Sequence, residues 1–247
     1  MDSHTHMGND LVLAGANFAE RDVISMLDSN GIDAAVCFPL PRPPDQTKAH
    51  DAIAAAAERN KGRIFGIASV NPVYFKDLAA TEIPRCIEEL HFVGIKMHYD
   101  DWSFGPLTSP GQYLAKLAED LGVPLVIHCG IHQLHANTPR FVGTLAKAHP
   151  NTNIVIAHFG GATGGSAYDA MLTASENPNV FVETSFSSVC YLMMAAEKVG
   201  ADKLMYGSDL PLNVPVELAK IRSLNLKPSD ERKILSGTAC KVFGINQ

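Results

Sequence analysis

The chain alternates between two hydrophobic periods. Short runs rich in valine and isoleucine recur along its length, separated by longer segments with the 3.6-residue period of amphipathic helices. The runs are DAAVCF (33–38), RIFGIASV (63–70), VGIKMH (93–98), VPLVIH (123–128), NIVIAH (153–158), NVFVET (179–184) and KLMYG (203–207). DSHTH, at the extreme N-terminus, completes a series of eight, although its residues have weak strand propensity. Helical stretches such as AERDVISMLDSN, DQTKAHDAIAAAAERNKG, YFKDLAATEIPRCIEELH, SPGQYLAKLAEDLG and PRFVGTLAKAHP lie between the runs. Gly31, Gly62 and Gly122 stand where helices should stop, and Ser229-Asp230 followed by Glu231 predicts the opening of the last helix.

Eight strands alternating with helices in 247 residues match the size of a (β/α)8 TIM barrel. An open doubly wound sheet shares the same alternation. The polar residues favour the barrel. They gather at the C-terminal ends of strands scattered along the whole chain, and a closed ring brings those ends to one rim. No repeat or Pro/Gly-rich linker divides the sequence, so one domain over residues 1–247 is expected.

The rim residues suggest metal chemistry. His4 and His6 are two apart on an extended segment, so both imidazoles point to one face and can chelate one divalent ion. A pair of surface histidines near the terminus is the bland alternative. His128 closes VPLVIH and His158 closes NIVIAH, each followed by glycine within two residues. One histidine ending an apolar strand is often a satisfied core residue; two alike are harder to dismiss. Asp209 emerges in MYGSDLP, where a turn or N-cap role is the competing reading. Together His4, His6, His128 and Asp209 offer three nitrogens and one oxygen, a set suited to zinc and tolerable for manganese, iron or cobalt. An ion so held lowers the pKa of a bound water towards about 7. His158 would then act beside it as acid/base or as a donor to developing charge, with Asp209 accepting a proton while it ligates.

Other residues are expected to line the site. Lys96 and His98 alternate with Ile95 and Met97 and so point into the barrel, where an unpaired lysine is costly. Arg42, in FPLPRPPD, could grip a substrate carboxylate bidentately, and Trp102 could stack on a planar substrate. His132, His135 and Arg140 follow the fifth strand and are weaker substrate-contact candidates. His50, His91 and His149 read as surface residues of helices.

Composition narrows the classes. The balance of 20 Lys+Arg against 26 Asp+Glu gives a net charge of -6 with no basic cluster, which argues against nucleic acid. Mean hydropathy is +0.03, and no apolar run approaches the roughly 18 residues that cross a bilayer. MDSHTHMGND has no basic region leading into an apolar one, so no signal peptide is read. Five cysteines without a CxxC pair suggest free thiols, four of them buried, and a cytoplasmic protein.

DSHTH, GIKMH, VIHCG, NIVIAHFGG and YGSDLP, in that order, resemble the amidohydrolase superfamily, and most closely its amidohydrolase-2 branch of metal-dependent decarboxylases and hydrolases. The resemblance implies a (β/α)8 barrel with one divalent metal, usually zinc. It implies that His4, His6, His128 and Asp209 are ligands and that His158 is catalytic or polarises substrate. In some members a lysine on the fourth strand is carboxylated and bridges two metals; in the single-metal branch Lys96 would instead pair with a carboxylate or line the site.

The leading expectation is therefore a metal-dependent hydrolase of a small amide, lactone or ester. Decarboxylation of a small unsaturated or aromatic carboxylate uses the same residues and is the alternative. A multi-metal phosphoesterase opening with D-x-H-x-H and a non-catalytic ligand-binding barrel are the further readings. The expected partners are a small-molecule substrate and, on base rates, a second copy in a homodimer.

Overall fold

The computed structural model describes residues 1–11, 16–98, 104–129, 139–161 and 164–246. Its strands are β1 (Asp2–Asn9), β2 (Asn17–Phe18), β3 (Ala35–Pro39), β4 (Ile64–Gly66), β5 (Ile95–Met97), β6 (Leu125–Ile127), β7 (Ile154–Ile156), β8 (Val180–Glu183) and β9 (Leu204–Met205). All but β2 are parallel and correspond to the eight apolar runs. The short β2 pairs antiparallel with the end of β1, an addition that the hydrophobic pattern did not signal.

Two ladders, β1-β3-β4 and β5 to β9, are joined at two seams by parallel bridges, Ala68 to Ile95 and Thr5 to Asp209. Across the first seam the Ala68 N–H donates to the Gly94 carbonyl at 3.0 Å and the Lys96 N–H to the Ala68 carbonyl at 2.8 Å. Across the second, Ser3 donates to Tyr206 at 2.9 Å, Ser208 to His4 at 3.0 Å and His6 to Asp209 at 3.0 Å. The ring closes. The open-sheet alternative is thereby removed and the (β/α)8 barrel stands.

Alternation along each strand sorts the core into two layers. Val36, Phe38, Ile67, Val126, Val155, Phe181 and Met205 pack inside the ring. Their neighbours Ile95, Met97, Leu125, Ile127, Ile154, Ile156 and Val182 face the surrounding helices. Each such side chain contributes about 1.5–3 kcal/mol on burial. The floor is sealed by Ala239, Val242 and Phe243 of the helix Thr238–Phe243 and by Ile245 just after it. With the lower interior filled by hydrocarbon, polar side chains have room only at the upper rim.

The helices follow their sequence signals with one shift. The helix Glu20–Asn30 ends at Gly31 in the left-handed region (φ 65°), and Gln46–Arg59 is capped by the Asp45 carboxylate accepting from the Lys48 N–H at 3.0 Å. The last helical stretch opens one residue before the expected Ser229. Pro228, whose fixed φ suits the first turn, starts the helix Pro228–Arg232. Cys37, Cys86 and Cys129 are buried as expected, whereas Cys240 is half-buried and Cys190 exposed.

His50 and His149 are buried, against the surface reading; His91 alone of the three is exposed. His50 faces inward because Ile53 and Ala56 share its side of the helix. Its Nε2 accepts from the Ser69 N–H at 3.0 Å, so Nδ1 carries the proton and donates to Glu82 Oε1 at 2.9 Å. Arg85 donates twice to Glu82, both at 2.8 Å, and once to Asp51 at 2.8 Å. Burial alone would raise the Glu82 carboxyl, but the His50 and Arg85 bonds overcome it and hold the group at about 2. Glu82 thus adds stability above its ordinary value of 4.5, and that stability is lost as pH falls towards 2. Glu82→Gln is expected to lose on the order of 2–3 kcal/mol at pH 7. In urea unfolding the gap between the two proteins should narrow between pH 5 and 3; a gap independent of pH would refute the assignment.

Candidate metal centre and active site

The backbone at the β1–β9 seam sets the first three donors. His4 and His6 point into the mouth from alternate positions of β1, and Asp209 lies beyond β9 with a left-handed φ of 63°. Ser208 and Asp209 both donate their N–H groups to the His4 carbonyl, at 3.0 and 2.7 Å, while Asp2 Oδ1 accepts from the N–H groups of His4 and Ser208 at 3.1 and 3.0 Å. Residues more than 200 positions apart in the chain are thereby locked side by side.

Asp209 Oδ1 lies 3.5 Å from His4 Nε2 and 3.4 Å from His6 Nε2. Donors about 2.1 Å from a tetrahedral ion are separated by about 3.4 Å, so these spacings suit ligands sharing one cation. The ring orientations agree. His6 Nδ1 donates to the Pro39 carbonyl at 2.9 Å and His4 Nδ1 to Glu183 Oε2 at 3.2 Å, which turns both Nε2 lone pairs inward. The donor set fits a divalent ion.

Glu183 was not anticipated. It ends β8 as His128 and His158 follow theirs, so the carboxylate closing NVFVE was the available signal. Its Oε2 accepts from His4 Nδ1, from the His158 N–H at 3.0 Å and from the Ser185 hydroxyl at 2.9 Å. Ser185 N–H donates to Oε1 at 2.5 Å. Gly207 leaves the space this carboxylate needs, because a Cβ there would sit 2.5 Å from Glu183 Oε1. Burial, with Asp209 adding to it, pushes Glu183 up to about 8 against these donors.

His158 and Phe159 both take left-handed φ values, 55° and 50°, a costly conformation for residues with a Cβ. The turn directs the His158 N–H at Glu183 and its ring into the mouth. His158 Nδ1 donates to Ser185 Oγ at 2.7 Å, so its Nε2 accepts from His128 Nδ1 at 3.0 Å. These tautomers follow from the hydrogen-bond network, and they leave His128 Nε2 as a lone pair. His158 Nε2 is also 3.7 Å from Asp209 Oδ1.

The expected ligands therefore divide. His4, His6 and Asp209 form a group whose donor atoms lie within 4.8 Å of one another, and His4, His158 and Glu183 form a second. His128 falls in neither, joining the cluster through His158. His98 stacks on His128 with ring centroids 3.9 Å apart. Lys96 points into the barrel as expected, buried, with its Nζ 3.2 Å from His4 Nε2 and 5.0 Å from the Phe38 ring centre. Arg42 is held at the rim by Asp10, Nε to Oδ1 at 3.4 Å, and lines a cleft of about 470 Å³ with Tyr74 and Phe75 that no donor residue borders. Arg140 pairs with Asp169 at 2.7 Å on the outside. Trp102, His132 and His135 lie outside the described residues.

Burial, with Lys96 and the other imidazoles adding to it, drives His4 well below its ordinary value. Burial also lowers His158, although Asp209 opposes it, and lowers His98. Neutral imidazole is the ligating form. Burial would raise Asp209, but His158, His6 and Lys96 outweigh it and hold its carboxyl well below the usual range. Burial thus favours neutral His4, His98 and His158 rings around a charged Asp209.

Residues 26–245 match the family described as Amidohydrolase, in its amidohydrolase-2 form, and the chain belongs to that family. It is thus an enzyme of the metal-dependent hydrolase and decarboxylase class. The matched stretch begins after β1, so His4 and His6 rest on geometry. The gamma-resorcylate decarboxylase of Polaromonas sp. is 24% identical, aligned over 81% of this chain and 76% of its own. Two crystal structures share the fold. The 5-carboxyvanillate decarboxylase of Novosphingobium aromaticivorans, complexed with manganese and a nitrobenzoic acid, has a TM-score of 0.73 at 18% identity, covering 90% of this chain and 79% of that one. The 4-oxalomesaconate hydratase of Rhodopseudomonas palustris has a TM-score of 0.74 at 18% identity, covering 99% and 95%. No helix among the described residues is long and apolar enough to cross a membrane.

Proposed function

We propose that this enzyme decarboxylates a small hydroxylated aromatic carboxylate, using one divalent ion held by His4, His6, His128 and Asp209. Zinc suits the nitrogen-rich donor set, and manganese, present in the 5-carboxyvanillate decarboxylase, is the alternative. The observation that carries the reading is the buried Lys96 amine 3.2 Å from His4 Nε2. An amine buried beside the site of a divalent cation favours an anionic substrate over a neutral amide or ester. A hydroxybenzoate offers a carboxylate and an adjacent oxygen to such a pair. The decarboxylases among the relatives support the same direction and move hydrolysis, the first expectation from sequence, to second place.

When bound, the ion supplies Lewis acidity to the substrate oxygens. Solvent supplies the proton, and the chain's own side chains relay it. In the reaction the bond between ring carbon and carboxyl carbon breaks, carbon dioxide leaves, and one proton takes its place on the ring. His158 and Asp209, 3.7 Å apart, are the groups placed to hold and pass that proton. Ser185 and Glu183 fix the His158 tautomer from behind. Lys96 and His98 border the anion, and His128 offers its Nε2 lone pair to the ion.

The test is incubation of metal-loaded protein with 2,6-dihydroxybenzoate, 5-carboxyvanillate and matched lactones and amides. Carbon dioxide release, with one solvent deuteron appearing on the product ring in D₂O, is the expected result. Lactone or amide cleavage without carbon dioxide would return the enzyme to the hydrolase reading.

A further inference from the structure

Phe186 is a large aromatic side chain left 49% exposed beside the catalytic cluster. Its ring centre is 5.5 Å from that of His158, tilted by 53°. Its backbone is in the left-handed region at φ 59°, a strained conformation for an aromatic residue that persists only where surroundings enforce it. The enforcing groups are visible. Glu217, buried on the helix Val214–Ser223, accepts from the Phe186 N–H at 3.1 Å. Lys220, one turn on, pairs with Glu217 at 2.5 Å and donates to the Ser187 carbonyl at 2.8 Å. The pair of buried Glu217 and half-buried Lys220 therefore clamps the turn after β8 on both sides of a ring that covers no core. Relaxing the turn would remove the backbone strain; the clamp keeps the ring at the mouth instead.

We infer that Phe186 is the aromatic wall of the substrate pocket, against which the flat face of a ring-bearing carboxylate packs while its charged end reaches Lys96 and the ion. The inference rests on the aromatic-carboxylate reading above and adds a specificity residue to it. Offset or edge-on packing of two rings suits a centre-to-centre spacing of about 4.5–7 Å. His158 already stands at that distance from Phe186, so a substrate ring entering above His158 meets the Phe186 face. Glu217 is a positioning residue that acts through the turn.

The experiment is equilibrium binding of 2,6-dihydroxybenzoate and of malonate, a ringless carboxylate, to manganese-loaded wild type, Phe186→Ala and Phe186→Tyr. Phe186→Ala is expected to weaken dihydroxybenzoate about fivefold to tenfold and to leave malonate within twofold, with Phe186→Tyr close to wild type. In turnover the alanine variant should raise KM by a similar factor with kcat nearly unchanged. Equal weakening of both ligands, or of neither, overturns the assignment of Phe186. A wild type that binds malonate but not dihydroxybenzoate instead overturns the aromatic reading itself, and Phe186 with it.

Discussion

Asp209→Asn is expected to abolish measurable turnover, a loss of about 10³-fold or more, and to weaken retention of the divalent ion by at least about 100-fold. The substitution is close to isosteric, and asparagine tolerates the left-handed φ of 63° that this position demands, so the fold should be unaffected. What it removes is a carboxylate oxygen facing His4 and His6 Nε2, at 3.5 and 3.4 Å. It also removes a carboxylate that His158, His6 and Lys96 hold in its charged form. Metal content after gel filtration, measured beside the thermal midpoint, separates loss of the ion from loss of the fold. An Asp209→Asn protein that keeps its ion as tightly as wild type would mean that Asp209 is no ligand.

His158→Asn is expected to behave differently: turnover down about 10²–10⁴-fold with the ion retained. Asparagine again suits the local backbone (φ 55°), which isolates the ring. In this account His158 passes protons beside the ion, and its imidazole is kept neutral mainly by burial. Ser185→Ala should fall between the variant and wild type, since it removes the 2.7 Å partner that orders the tautomer but leaves the ring. Rates with matched metal loading check both variants. If His158→Asn lost the ion along with activity, His158 would be a ligand, as its grouping with His4 and Glu183 permits.

The barrel was legible because strand periodicity and helix periodicity alternate cleanly, and because seven of the eight strands are short buried runs of aliphatic residues. His128, immediately after Val126-Ile127, and His158, at the end of NIVIAH, could be seen as rim residues for the same reason. Other features were hidden by their dependence on three dimensions. Glu183 reads in sequence as one more carboxylate at the end of an apolar run, and only the closed ring brings it to His4, 179 positions away. His50 was misread because helical context does not reveal which face meets another helix; its partner Glu82 lies 32 residues on. Arg42 looked like a carboxylate clamp, yet Asp10 from the end of the β1 segment engages it at the rim. Phe186 gave no signal in sequence, since nothing in TSFSS announces a positive φ or the Glu217–Lys220 clamp. Periodicity reports which side of an element is buried, and it is silent on which distant side chains share a cavity.

The proposed cation is gripped where the first and last strands of the ring meet. Anomalous diffraction from crystals of the manganese- or zinc-loaded enzyme would locate it. One peak per chain is expected, about 2.0–2.2 Å from His4 Nε2, His6 Nε2, His128 Nε2 and an Asp209 oxygen. A peak instead between His50, Glu82 and Cys86, or a pair of ions flanking Lys96, would contradict that placement.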